Sequence, residues 1–116
     1  MTFIFVYNAN SGKLNALLDT GHKLLNPSTY PCSLCALTYD TFSENNLWKT
    51  FRIESKAEMI FYHKDEFEAE FPDADISYPS VLKLEDLHLS TLLNKDDLNE
   101  IPSVELLIEK LKTILP

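Results

Sequence analysis

Residues 7–35 read YNANSGKLNALLDTGHKLLNPSTYPCSLC, and the interpretation of the whole chain depends on this stretch. It contains both cysteines and both glycines of the chain, one of the three histidines, and Asp19 three residues before that histidine, His22. The sequence on either side has the pattern of an ordinary small globular domain. The residues that could carry chemistry are therefore concentrated in this stretch.

Length and composition indicate one globular domain over residues 1–116. The chain is 45% hydrophobic and 24% charged, which is typical of a folded domain with a single core. Its net charge of −8 repels phosphate backbones and anionic lipid, so we expect neither nucleic acid nor a membrane as partner. The apolar start has no basic region or cleavage site, and no apolar run is long enough to span a bilayer. We therefore expect a cytoplasmic protein, in which a C-x-x-C pair is more often redox-active or metal-binding than a structural staple.

The secondary structure expected from the sequence alternates between strands and helices. Unbroken β-branched and aromatic runs predict strands, and apolar residues spaced at the helical period predict helices. Residues 3–8 are expected to form a strand buried on both faces, because the run is apolar without alternation. The remaining expected elements are a helix over 13–25, a helix over 36–52 with a break near Ser43, strands over 57–62 and 80–85, an edge strand or helical turn over 87–93, and helices over 64–71 and 103–115.

The order of strand, Gly12-Lys13 and helix invites comparison with a phosphate-binding loop. That motif needs a glycine where this chain has Tyr7 and a hydroxyl residue where it has Leu14. Without the first glycine the backbone cannot wrap a phosphate, and without the hydroxyl a magnesium ligand is lost. Nucleotide hydrolysis is therefore not favoured.

The pair Cys32 and Cys35 carries the strongest chemical signal. At the start of a helix the two side chains lie one turn apart on one face, and the free N–H groups there stabilise a thiolate. This arrangement suits a redox pair, and the same geometry offers two thiolates to one metal ion. A third interpretation is that both cysteines are small buried apolar residues.

The order of elements resembles the thioredoxin and glutaredoxin architecture once residues 10–30 are set aside. In that family a C-x-x-C opens the first long helix, and a cis proline precedes the third core strand. Cys32, Cys35 and Pro79 match those positions in order. The resemblance implies an α/β fold with a three-layer, glutaredoxin-type sheet and, in this chain, a helix inserted between the first strand and the C-x-x-C helix.

The same N-terminal stretch also resembles a group of small uncharacterised bacterial proteins. The shared pattern is N-x-x-S-G, D-x-x-H-K and Y-x-C-x-L-C-x-L-T, which this chain carries over residues 8–38. This second resemblance implies no established activity.

Two chemical hypotheses follow for these residues. As a thiol–disulfide oxidoreductase without a cofactor, the protein would use Cys32 as attacking thiolate and Cys35 as resolving thiol, with Pro79 shaping the substrate groove. His22, oriented by Asp19, would favour the thiolate form of Cys32 as an imidazolium. The partner would be a disulfide-containing protein or a small thiol.

The alternative is a zinc-binding module. His22, Cys32 and Cys35 are ligand types that zinc prefers, and Asp19 would be either a fourth ligand or a partner that orients His22. Without either chemistry, the chain would be a scaffold or binding protein.

Overall fold

The computed structural model describes residues 2–9, 32–39 and 44–115, and the account below concerns these residues. They form four strands and five helices in one α/β arrangement. The strands are β1 (Thr2–Val6), β2 (Glu58–Tyr62), β3 (Ser80–Glu85) and β4 (His88–Leu93). The helices are α1 (Ser33–Thr38), α2 (Asn46–Glu54), α3 (Lys64–Glu70), α4 (Lys95–Asn99) and α5 (Val104–Ile114).

The strands make one mixed sheet in the order β2-β1-β3-β4. β1 runs parallel to β2 and antiparallel to β3, and β3 runs antiparallel to β4. Ile4 at the middle of β1 pairs with Ile60 on one side and Leu82 on the other. β1 is thus an inner strand, and its burial from Phe3 to Val6 confirms the expectation of a strand covered on both faces.

Alternate side chains of β1 pack in two separate hydrophobic cores, because successive residues of a strand point to opposite faces. Phe3 and Phe5 pack on one face with the buried residues of α1, α2 and α5. Ile4 and Val6 pack on the other face with Phe67 of α3 and with Leu82 of β3. The sheet therefore carries helices on both faces.

The long helix expected over 36–52 is interrupted, as predicted, but its first part is shorter than expected. α1 ends at Thr38, Tyr39 forms an isolated bridge with Glu44, and α2 begins after Asn45, whose side chain accepts the N–H groups of Leu47 and Trp48. Ser43, where the break was expected, lies outside the described residues, as does the helix expected over 13–25.

The C-terminal half follows the sequence expectations closely, with one addition. β3 has the expected bounds, and residues 88–93 form a strand and not a turn of helix. The polar segment after it, which belongs to none of the expected elements, contains α4, capped by reciprocal bonds between Asn94 and Asp97. Within the described ranges, none of the helices is long and apolar enough to cross a bilayer.

Candidate functional site

Cys32 caps the start of α1 with its sulfur atom. Its Sγ accepts a hydrogen bond from the backbone N–H of Cys35 at 3.2 Å and another from the backbone N–H of Asn8 at 3.3 Å. Serine, threonine, aspartate and asparagine usually fill this capping role through an oxygen. Here the capping atom is a sulfur, and two backbone N–H groups point at it. In a reduced Cys32 these donors would favour the thiolate over the thiol.

Cys32 and Cys35 are joined by a disulfide. Their Cα atoms are 5.2 Å apart, within the usual range for such a bond. The chain's two cysteines are both used in it.

Both cysteines are buried. Cys32 is 0% exposed and Cys35 is 8% exposed. An attacking thiol is expected to be the more accessible member of a redox pair. The exposed fractions therefore do not favour Cys32 as the attacking sulfur and Cys35 as the resolving one, whereas the hydrogen bonds at Cys32 do favour these roles.

The loop that follows β1 holds the donor at Asn8 in place. The N–H of Tyr7 donates to the carbonyl of Tyr62 at 2.9 Å, and the N–H of Lys64 donates to the carbonyl of Ala9 at 3.0 Å. These bonds continue the pairing of β1 with β2 past the ends of both strands. Cys32 consequently sits at the carboxyl end of a parallel strand pair, the end at which open α/β sheets bind ligands.

Pro79 lies at the same end of the sheet. The Tyr78–Pro79 peptide bond is cis, and Pro79 is buried immediately before β3 begins at Ser80. Ser80 pairs with Val6, which is two residues before Asn8. The topology thus places three of the predicted site residues, Cys32, Cys35 and Pro79, at the same end of the sheet.

Tyr7 is a buried neighbour of this site that the sequence did not single out. Its ring lies 6.1 Å from that of Tyr39, 6.4 Å from that of Phe61 and 6.1 Å from that of His63, measured between centroids. Burial above all, and then the charge that Tyr39 would carry, raises the pKa of Tyr7, although a hydrogen bond with Thr38 acts in the opposite direction. The phenol stays protonated at neutral pH and links the end of β1 to the end of α1. Its only sequence signal was a hydroxyl at the end of an apolar strand.

His63 is a surface residue, as expected from its place just past β2. Its side chain is 46% exposed, and its Nδ1 lies 2.7 Å from Oε1 of Glu66. The same carboxylate accepts the backbone N–H of His63 at 2.8 Å, and this bond, followed by the one to the ring, lowers the pKa of Glu66. His63 and Glu66 therefore cap the start of α3, and both side chains are exposed.

The predicted zinc ligands are only partly within the described structure. Asp19 and His22 lie outside the described residues, so their positions relative to the cysteines stay a prediction. Among residues 2–9, 32–39 and 44–115 there is no cluster of three or more histidine, cysteine, aspartate or glutamate side chains that could hold a metal ion.

Comparison of the chain with protein-family models, with curated proteins and with solved structures finds no match.

Proposed function

We propose that the protein is a thiol–disulfide oxidoreductase built on a thioredoxin-like framework, and that Cys32 and Cys35 are its redox pair. The observation that carries the proposal is the capping geometry at Cys32. Two backbone donors lie within 3.3 Å of its Sγ, and the partner sulfur is already bonded to it. Reversible exchange requires a disulfide that, once it is reduced, leaves one sulfur stabilised as a thiolate.

The exchange balances without a cofactor. In the reduced protein the Cys32 thiolate attacks one sulfur of a substrate disulfide, and the other substrate sulfur leaves as a thiolate that takes up a proton. The Cys35 thiol then loses its proton and attacks Cys32, which releases the second substrate thiol. Two electrons pass to the substrate, and the Cys32–Cys35 disulfide re-forms.

The framework supports the same proposal. An inner strand β1 parallel to β2, an antiparallel β3 and β4, and a cis proline just before β3 follow the order of elements in the thioredoxin and glutaredoxin family. The C-x-x-C lies at the start of a helix at the end of the sheet that also carries Pro79. In this proposal Pro79 forms one wall of the substrate groove.

The burial of Cys32 restricts the substrate. Because this residue is 0% exposed, a substrate sulfur can reach it only after the packing around it changes. We therefore expect small disulfides to react faster than disulfides held within a folded protein. The proposal keeps Cys32 as the attacking sulfur, since both donors act on it and not on Cys35.

A small aromatic disulfide tests these roles. The reduced protein and its variants Cys35→Ser and Cys32→Ser are each mixed with 5,5′-dithiobis(2-nitrobenzoate) at neutral pH, and thiolate release and protein mass are followed. The natural protein should release two equivalents and end as the internal disulfide without an adduct. Cys35→Ser should keep one adduct on Cys32 and form it faster than Cys32→Ser forms its adduct on Cys35.

Unfolded samples of both variants in urea provide the control, because the two cysteines should then react at similar rates. The proposal is wrong if the natural protein ends with two adducts and no internal disulfide. An equal rate for the two folded variants would remove the assignment of Cys32 as the attacking sulfur.

A further inference from the structure

A second surface, away from the cysteines, has the features of a protein-docking site. We propose that the outer edge of β4 and the pocket beside it bind an extended, lysine- or arginine-bearing segment of another protein. This inference does not depend on the redox proposal. It rests on an edge strand that pairs on one side only among the described residues, on an apolar pocket next to that edge, and on the charge around the pocket.

The pocket lies between the segment after α3 and the strands β3 and β4. It has a volume of about 500 Å³, which is within the range of pockets that bind ligands. Leu82 and Leu89 line it and pack in one cluster with Phe71 and Ile76, which also line it. Such a pocket can take one or two apolar side chains of a partner.

β4 is an edge strand without the usual protection. It is the last strand in the sheet order, and in the part of the chain that the structure describes only β3 pairs with it. Its sequence, HLSTLL, contains no proline and no lysine, arginine, aspartate or glutamate, the residues that commonly prevent an edge from pairing. A bulge interrupts the ladder at Leu92, so the regular part of the edge spans residues 88–91.

The side chains of this edge and the pocket share one face of the sheet. Leu89 pairs with Leu84, and Thr91 pairs with Leu82, and directly opposed residues of a ladder point to the same face. A strand added to β4 would lie about 4.8 Å away, with every second side chain on that face. Those side chains would lie at the mouth of the pocket, so apolar residues at alternate positions would become buried there.

The charge around the pocket selects the partner. Glu70, Asp73 and Asp75 line it, and the described residues of its lining include no lysine, arginine or histidine. The chain as a whole carries a net charge of −8. Basic residues two positions before or after the apolar ones, on the same face of the added strand, would meet these carboxylates, whereas a second copy of this acidic chain would be repelled.

A designed peptide tests the proposal on the full-length protein. The probe is a fluorescein-labelled heptapeptide of sequence KTFTVTK, whose lysine, phenylalanine and valine side chains share one face of an extended strand, and binding is measured by fluorescence anisotropy at low salt. The variant Asp73→Asn/Asp75→Asn should weaken binding roughly two- to thirtyfold, the effect of losing two exposed ion pairs. The matched control is Glu105→Gln/Glu109→Gln, which removes the same charge from exposed positions on α5 and should change the affinity less than twofold.

Two further measurements distinguish strand addition from attraction to acidic surface in general. Methylation of alternate backbone nitrogens in the peptide should abolish binding, because it removes the N–H groups that would donate hydrogen bonds to β4. Amide chemical shifts should change over residues 70–76 and 88–91. Equal losses in both double variants, unchanged binding of the methylated peptide, or shift changes spread elsewhere would overturn the proposal. A dimer of the protein in light scattering, lost in the variant Thr91→Pro, would also overturn it in favour of a second copy.

Discussion

Reduction of the Cys32–Cys35 disulfide should change the free energy of unfolding only slightly. The bond closes a loop from Cys32 to Cys35, with a sequence separation of 3. In the chain-entropy model so short a loop contributes about 2 kcal/mol of stability. After reduction, a Cys32 thiolate would gain charge-assisted bonds to two N–H groups worth roughly 1.5–3 kcal/mol each, opposed by a burial cost of several kcal/mol. These last two contributions largely cancel, so we expect a loss of about 2 kcal/mol or less.

Urea unfolding followed by tryptophan fluorescence measures this loss. The chain has a single tryptophan, Trp48, which is 0% exposed and packs against Phe5 at 5.6 Å between ring centroids. For a slope of about 1–2 kcal/mol/M, the reduced protein should unfold at a urea concentration lower by roughly 1–2 M at most, with an unchanged slope. The double variant Cys32→Ala/Cys35→Ala lacks both the cross-link and the sulfur cap. It should be less stable than the reduced protein by a further ~1 kcal/mol, the typical contribution of a helix cap.

A reduced protein that is unfolded in water, or less stable by more than about 4 kcal/mol, would refute this reasoning. The disulfide would then be a structural staple, and the sulfur cap would contribute nothing to the reduced state. Equal stability of the double variant and the reduced protein would show that the two N–H donors do not stabilise the Cys32 sulfur.

Three further predictions concern the framework. The raised pKa of Tyr7 means that the folded protein holds this proton more tightly than the unfolded chain does. The associated stability is full below about pH 10 and is lost as pH rises above it. In urea unfolding measured from pH 8 to 11, the free energy of unfolding should therefore fall less steeply with pH in Tyr7→Phe, by up to about 1.4 kcal/mol per pH unit. Phe67 is 0% exposed and stacks on Phe71 at 5.0 Å, so Phe67→Ala should cost about 3–5 kcal/mol by urea unfolding, whereas a loss below about 1 kcal/mol would contradict the second core. Leu87 is 95% exposed in the β3–β4 turn at φ 68°, so Leu87→Gly should raise the stability by roughly 0.5–1 kcal/mol, and an equal gain from Leu87→Ala would show that the backbone is not the cause.

The sequence predicted best those elements whose burial is decided locally. The unbroken apolar run of β1, the strand β3 and the apolar period of α5 each identify their element with bounds within about two residues, the usual precision for helix and strand ends. The helix α4 was not predicted, although Asn94 and Asp97 have the spacing of a capping box.

The early end of α1 could not be predicted in the same way. Apolar residues continue at helical spacing through Leu47 and Trp48, so the apolar period alone does not locate the end of α1. Tyr39 bridges to Glu44, and Glu44 in turn accepts two hydrogen bonds from Arg52 at 2.8 and 3.0 Å. Contacts of this kind leave no periodic signal.

The sequence indicated the pair Cys32 and Cys35 but not the environment of these two side chains. The C-x-x-C spacing indicated a pair that could close, and the structure joins Cys32 to Cys35. The bond from the N–H of Asn8 to Cys32 joins residues 24 apart, and the complete burial of Cys32 depends on the assembled fold. Spacing alone contains neither fact, and both decide how the sulfur would react.

Redox titration of the intact protein tests the proposed function most directly. The protein is purified without chelator under exclusion of air, equilibrated with glutathione mixtures of known ratio, and weighed by native mass spectrometry. The proposal predicts a reversible change of two hydrogens at Cys32 and Cys35, with a midpoint roughly between −120 and −270 mV, the range of thiol–disulfide oxidoreductases. A midpoint below about −300 mV, which is typical of structural disulfides, would contradict it. So would thiols that never oxidise, or a species heavier by one zinc ion with both thiols protected.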